Sequence, residues 1–457
     1  MTVATPDWTH DKAMPLLQNG QTLRGALSAL APTVRAFIGE GGQGEVYRVE
    51  LGGQPFALKW YHERVLRVDR GLASRLRVAI DRGAPSSKFL WPFELVTLPD
   101  GSNLGYLMRL RDPRFTTINH LLGGMVNPSF RILATVACQL TDAFFALHAR
   151  GLAYQDLNAG NVFFMPGTGD IEICDNDNVD VDGAPSVMGG VWEFQAPEIV
   201  LRRAGPSRAT DLHSLAVMLF RILHFGHPLV GRRELLVPNL ADEASMRRLY
   251  GTDAKFVFDP ADESNRPLPD RHGPVLGHWA IYPQLLRDLF TRAFTVGLYD
   301  PVHGRVQETE WRRAMSQLRD SVMTCPDCGA ENFYDPRRLA AKQSKFACWH
   351  CSAEIASTPL RMGIRRRGAR PGDAPLHVVI LEPGASLFGH HADGGAYEFG
   401  APVGEVVGNP PALVNRSHAG WKAERDGGAV IVEPGAGIPL VPGLRIAFAR
   451  SDGEVKR

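Results

Sequence analysis

At 457 residues the chain is long enough for roughly three domains of about 150 residues each. Its 50 lysines and arginines face 49 aspartates and glutamates, which excludes a chain-wide basic field of the kind that nucleic acid or an acidic membrane selects, though local patches stay open. A 44% apolar share fits a globular protein with a real core and argues against long disorder. No stretch approaches the ~18 to 20 apolar residues that cross a bilayer. The first residues carry Asp7 and Asp11 and no apolar run of signal-peptide type, so a cytoplasmic protein is expected. With 47 glycines and 33 prolines, turns should be frequent.

Residues 1–30 are weakly patterned and read as a short helix and a lead-in. Over 33–61, apolar and polar residues alternate between glycine breaks, which predicts three antiparallel strands. Residues 65–80 have helical spacing with a solvated arginine face, and 89–98 with 104–110 read as a hairpin about Pro99-Asp100-Gly101. Beyond about residue 120 the period changes. A helix start at Asn127-Pro128-Ser129 leads into an apolar face from Ile132 to Leu147. Two short strands are predicted around 161–165 and 171–174, and helices over 211–223, 282–294 and 308–322. From 376 to 448, short apolar runs alternate with Gly/Pro turns, as in an all-β domain.

Four features carry chemistry. The run Gly39-Glu40-Gly41-Gly42-Gln43-Gly44 is a glycine-rich turn between strands, where backbone could approach a phosphate closely. Lys59, in Phe56-Ala57-Leu58-Lys59, follows on the third strand; alone it could equally be an edge lysine whose stem lies along apolar surface. Tyr154-Gln155-Asp156-Leu157-Asn158-Ala159-Gly160-Asn161 follows the long helix, and Cys174-Asp175-Asn176-Asp177 ends the second short strand. Ala196-Pro197-Glu198 and Asp211-Leu212-His213-Ser214 come after these. In this order the segments resemble the glycine loop, strand lysine, catalytic loop, D-F-G and A-P-E of eukaryotic-type Ser/Thr protein kinases, over about 33–320.

That resemblance implies an α+β, bilobal kinase-like domain using ATP and Mg²⁺ on a protein substrate. Asp156 would take the substrate hydroxyl proton, Asn161 and Asp175 would hold Mg²⁺, and Lys59 would fix the phosphates. The backbone of Gly39, Gly41, Gly42 and Gly44 would cover the nucleotide, with Val46 and Ala57 beside it. Glu198 would pair with a late basic residue, for which Arg305 is the candidate, and the helix opening at Asp211 would brace the catalytic loop.

The sequence also departs from the family. Gln155 replaces the arginine of H-R-D, Asn176 replaces the D-F-G phenylalanine, and Ser186 is the only hydroxyl side chain between Asp175 and Glu198, which argues against switching by loop phosphorylation. Asp177 replaces the D-F-G glycine and adds a carboxylate, a candidate third ligand for Mg²⁺. Residues 64–82 hold no glutamate to pair with Lys59, leaving Asp69 or Glu63 as substitutes. A nucleotide-binding pseudokinase and a small-molecule kinase are the alternative readings. Cys138 reads as core, and Cys174 as core or pocket lining.

Cys325-Pro326-Asp327-Cys328 and Cys348-Trp349-His350-Cys351 have the spacing of a zinc ribbon, a closed structural Zn²⁺ site with His350 left over. Docking on protein is the expected role of the ribbon, with nucleic acid left open. The tail faintly resembles a forkhead-associated (FHA) sandwich, which reads phosphothreonine, but Gly389-His390 and Asn415-Arg416-Ser417-His418 match its signatures poorly, so a plain protein-docking domain is the expected reading. The expected boundaries are 1–30 lead-in, 31–322 kinase-like, 323–358 ribbon, 359–374 arginine-rich linker and 375–457 β-sandwich. The order of parts resembles bacterial kinases of tellurite-resistance and stress clusters, which implies von Willebrand-type and metal-dependent phosphatase partners, and no membrane.

Overall fold

The computed structural model describes residues 15–183, 190–237, 242–337, 346–355, 358–370 and 373–457. The chain divides into two compact units, Met1–Pro113 with Cys174–Asp180, and Arg114–Ile173 with Val181–Arg457.

The first unit is built on a six-stranded antiparallel sheet. Its strands are β1 (Arg24–Gly25), β2 (Thr33–Glu40), β3 (Gly44–Leu51), β4 (Gln54–Tyr61), β5 (Glu94–Thr97) and β6 (Gly105–Arg109), in the order β1-β5-β6-β4-β3-β2. The period of two along β4 divides its side chains between faces. Leu58 and Trp60 pack with Leu17, Val34 and Val49, whereas Ala57 and Tyr61 pack with Leu95, Tyr106 and Met108, and Lys59 shares their face. Residues 1–14 of the expected lead-in lie outside the described residues. Among the described residues of 15–30 the chain forms β1 rather than a helix, because Leu17 and Leu23 are drawn into the sheet's core. The helix expected over 65–80 is broken into α1 (Glu63–Val68) and α2 (Leu72–Arg82). Asp69 interrupts it: its carboxylate accepts from the Gly71 N–H at 3.2 Å and from Arg75 at 2.9 Å, a local arrangement that competes with the helix.

Gly44 is fixed by close approach. A Cβ there would lie 2.1 Å from the Trp60 carbonyl oxygen. Gly44→Ala is therefore expected to destabilise the sheet by about 1–3 kcal/mol or more, read as a fall in melting temperature, while Gly42→Ala, with open space around it, leaves stability nearly unchanged.

The second unit is helical at first. In α3 (Phe130–His148) the Ser129 hydroxyl caps the Ile132 N–H at 3.3 Å, and apolar residues cover most of its surface. By length and composition this helix is long and apolar enough to cross a membrane, contrary to the reading of the sequence, but 67% of its apolar window is buried inside the protein. It packs on α4 (Arg208–His224) and α6 (Glu308–Asp320), with α5 (Gln284–Phe294) beside α6. Val162–Phe164 and Ile171–Ile173 form the expected short hairpin.

Two small hairpins, Val322–Thr324 with Glu331–Phe333 and Phe346–Ala347 with Glu354–Ile355, carry the cysteine knuckles. The tail that follows has a six-stranded and a four-stranded sheet around one apolar core that includes Met362, Ile364, Leu413, Trp421 and Ile446. Arg361–Arg366, read as linker, is instead a strand inside the six-stranded sheet, paired with both His377–Ile380 and Ser451–Lys456. Met362 and Ile364 alternate with the arginines and point to the core; the charge density hid a strand of period two.

Candidate active site

Within the first unit, β4 presents Lys59 on the face that also holds Val46, Ala57 and Cys174. Val46 stands opposite Lys59 in the β3–β4 register. Lys59 is 5% exposed, and its ammonium lies 2.9 Å from Asp177 Oδ2, 3.0 Å from Oδ1 and 3.3 Å from Asp175 Oδ1. Burial opposes the charge, but the Asp177 and Asp175 carboxylates together hold the lysine pKa above its ordinary value. Gln43 of the glycine loop also accepts from Lys59, and its amide donates to Asn178 Oδ1 at 3.3 Å.

The acid that pairs with Lys59 is thus neither Asp69, bound to Arg75, nor Glu63, bound to Arg67. It is chiefly Asp177. Tyr61 donates to its Oδ2 at 2.6 Å, and the Tyr106 hydroxyl lies 3.4 Å from Oδ1. Burial, with Asp177 beside it, pushes the Tyr61 phenol well above its usual range, so it stays a donor. Both Asp177 oxygens are committed in this way, which does not fit the Mg²⁺-ligand role expected for it. Asp175 differs: its side chain is 39% exposed and meets Lys59 through one oxygen only, leaving the other for a hard cation. Asp175 adopts a left-handed backbone with φ 54°. Asn176, where D-F-G has phenylalanine, is buried and donates from Nδ2 to the Leu90 carbonyl at 2.9 Å, so a hydrogen bond replaces the apolar contact. Burial pushes the Cys174 thiol up, so the neutral thiol is favoured.

In the second unit the Tyr154–Asn161 loop is pinned from two sides. The buried carboxylate of Asp211, near the start of α4, accepts from the backbone N–H of Tyr154 and, at 3.0 Å, from that of Gln155, which has φ 71°. Asn161 Nδ2 and Asn158 Nδ2 donate to the Asp156 carbonyl at 3.1 and 3.2 Å. These bonds fix the backbone that carries Asp156. Glu198 pairs with the buried Arg305 at 2.8 Å, as the sequence suggested, and Arg305 also donates to the Ala209 and Gly297 carbonyls. Ser186 lies outside the described residues.

His148, at the end of α3, bridges Asp211 and Glu308. Burial disfavours its charge, yet hydrogen bonds to the two carboxylates raise its pKa above 6.5. Burial would raise Glu308, but His148 and Arg208 hold it down to about 2. The signs are opposite. Stability from charged His148 is full below 6.5 and is lost as pH rises through the raised folded value. Stability from Glu308 is full above 4.5 and is lost as pH falls through about 2. An NMR titration should show His148 still protonated at pH 6.5; a His148 resonance neutral at that pH would refute the bridge.

The four knuckle cysteines converge. Cys325 Sγ lies 3.7 Å from Cys351 Sγ, and Cys328 Sγ 3.7 Å from Cys348 Sγ, too far for disulfides. Sulfurs about 2.3 Å from a tetrahedral zinc stand about 3.8 Å apart, so the four thiolates fit that ion. These hairpins pack within the second unit: the Phe130 ring meets Phe333 tilted and Trp349 edge-on, and the Arg131 N–H donates to Glu331 at 3.0 Å. His350 is exposed. In the tail, the FHA-like positions are otherwise engaged. His390 is buried, Asn415 bonds the Ala419 and Val432 carbonyls, and Arg416 pairs with Glu405.

No family model matches the chain. Curated relatives do. The chain is 28% identical over 277 residues to the DNA damage-responsive serine/threonine-protein kinase RqkA of Deinococcus radiodurans, covering 55% of this chain and 36% of that protein. It is 25% identical over 240 residues to human ribosomal protein S6 kinase alpha-2, covering 48% and 31%, and 35% identical over 98 residues to CBL-interacting protein kinase 4 of Oryza sativa, covering 20% and 21%. These relatives are serine/threonine protein kinases, one of them bacterial. The chain spans between about a fifth and a little over a third of their length.

Proposed function

We propose that the chain transfers the γ-phosphoryl of Mg-ATP to protein hydroxyls, in the cytoplasm of a bacterial stress-signalling system. The observation that carries this reading is the buried, charged Lys59 in contact with a half-exposed Asp175, a cation for phosphate beside a carboxylate with one oxygen left over. Lys59 would hold the α- and β-phosphates, and the backbone of Gly39, Gly41, Gly42 and Gly44 would cover them, with Val46 and Ala57 against the base. Asp175 and Asn161 would hold Mg²⁺, which supplies charge neutralisation at the transferring phosphoryl. Asp156 would accept the proton of the attacking hydroxyl as its oxygen bonds the γ-phosphorus and the bond to ADP breaks. Asp177 is assigned here as the counter-ion that orients Lys59. The four cysteines would hold structural Zn²⁺, with the ribbon docking on protein. The von Willebrand-type and phosphatase partners are proposed on the resemblance alone.

The test is transfer of labelled γ-phosphate by wild type and Asp156→Asn. Label on protein that disappears in the variant, while nucleotide still raises both melting temperatures, supports catalysis. Nucleotide stabilisation without transfer makes the protein a pseudokinase, and label in metabolites a small-molecule kinase.

A further inference from the structure

Helix α6 ends in a buried cluster unrelated to nucleotide. Asp320, 1% exposed, is surrounded by His377 of the strand His377–Ile380 and by His390 and His391 of the short helix Gly389–Ala392, all buried. One donor atom from each of the four lies within 4.8 Å of the others. Hydrogen bonds sort them into two kinds. The Phe388 N–H donates to His391 Nδ1 at 2.9 Å, so His391 carries its proton on Nε2 and donates it to Asp320 Oδ2 at 3.0 Å. His390 Nε2 stands 3.4 Å from Ser316 Oγ. Left over are Asp320 Oδ1, His377 Nδ1 and His390 Nδ1, none with a hydrogen-bond partner among the described residues. His377 Nδ1 lies 3.7 Å from Asp320 Oδ2, beyond hydrogen-bond reach. Buried polar atoms left without a partner are costly, so three of them in one cluster call for a ligand.

We propose that Asp320, His377 and His390 bind a second zinc ion, which fastens the tail domain to α6. Two imidazole nitrogens and a carboxylate oxygen are ordinary zinc donors. His391 and Ser316 act as outer partners that aim Asp320 and His390, the arrangement metal-bound ligands generally show. The opposing charge is Arg319, whose Nη1 is 4.0 Å from Asp320 Oδ1. That guanidinium is occupied elsewhere: its Nε donates to Thr135 Oγ1 at 3.0 Å, and it lies over the rings of Phe388 and Phe399.

Metal analysis and zinc X-ray absorption on the purified full chain test this. The expected wild type carries one zinc more than the four cysteines take, with a first shell mixing sulfur with nitrogen and oxygen. His377→Gln with His390→Gln should lose that ion and leave an all-sulfur shell. A wild-type shell of sulfur alone, or zinc content unchanged in the folded double variant, overturns the proposal. If the double variant fails to fold, the wild-type shell decides by itself. A nitrogen/oxygen shell without sulfur would support this site and refute the ribbon reading instead.

Discussion

Asp177→Ala is expected to abolish most phosphoryl transfer and to lower stability together. The substitution removes the main counter-ion of a lysine that is 5% exposed, and leaves Tyr61 and Tyr106 without their shared acceptor. Breaking a buried ion pair from one side typically costs about 3–5 kcal/mol. Asp175 remains 3.3 Å from Lys59 and offsets part of this, so the low end of that range is expected. It does so by pulling the ammonium towards Asp175, the carboxylate proposed for Mg²⁺. A misplacement of about 1 Å is enough for a rate loss on the order of 100-fold. Two controls make the result specific. Glu63→Ala breaks only an exposed pair with Arg67, and Asp69→Ala a pair with Arg75; both should keep transfer near wild type. Melting curves and labelled-ATP assays on the three variants check this. Loss of transfer in Asp69→Ala but not in Asp177→Ala would make Asp69 the partner of Lys59 instead.

The same pair shows what could be read in the chain and what could not. The strands around Lys59, the capped helix after Ser129, the brace from Asp211 and the Glu198–Arg305 pair follow from local period, caps and motif order. The partner of Lys59 does not. The sequence held both halves of the clue, an acid-poor 64–82 and an extra acid two residues after Asp175, but only packing shows that Asp177 turns inward under two tyrosines. Arg361–Arg366 was hidden for a different reason: its core-facing residues, Met362 and Ile364, are outnumbered by arginines that a sheet surface tolerates. The histidine cluster was out of reach, since His377, His390 and Asp320 meet only through tertiary packing.

If the four cysteines hold zinc as proposed, its removal is expected to have the largest effect on the second unit. The hairpins that carry the knuckles are two or three residues long in each strand, and their core is essentially Met323, Cys325, Phe346, Cys348 and Ile355. So little apolar area does not hold a fold alone. Structural zinc supplies apparent free energies of about 10–16 kcal/mol in zinc-finger modules, so Cys348→Ser with Cys351→Ser should unfold the two knuckle hairpins, Val322–Phe333 and Phe346–Ile355. The consequence spreads, because Phe130 at the start of α3 packs on Phe333 and Trp349, and Ile380 of the tail sheet joins the ribbon core. Amide exchange should therefore rise in the ribbon, at the first turn of α3 and along His377–Ile380, while the Lys59 strand, in the other unit, keeps its protection. Unchanged protection at Phe130 in the zinc-free variant would show that the ribbon is held by its neighbours rather than by its ion.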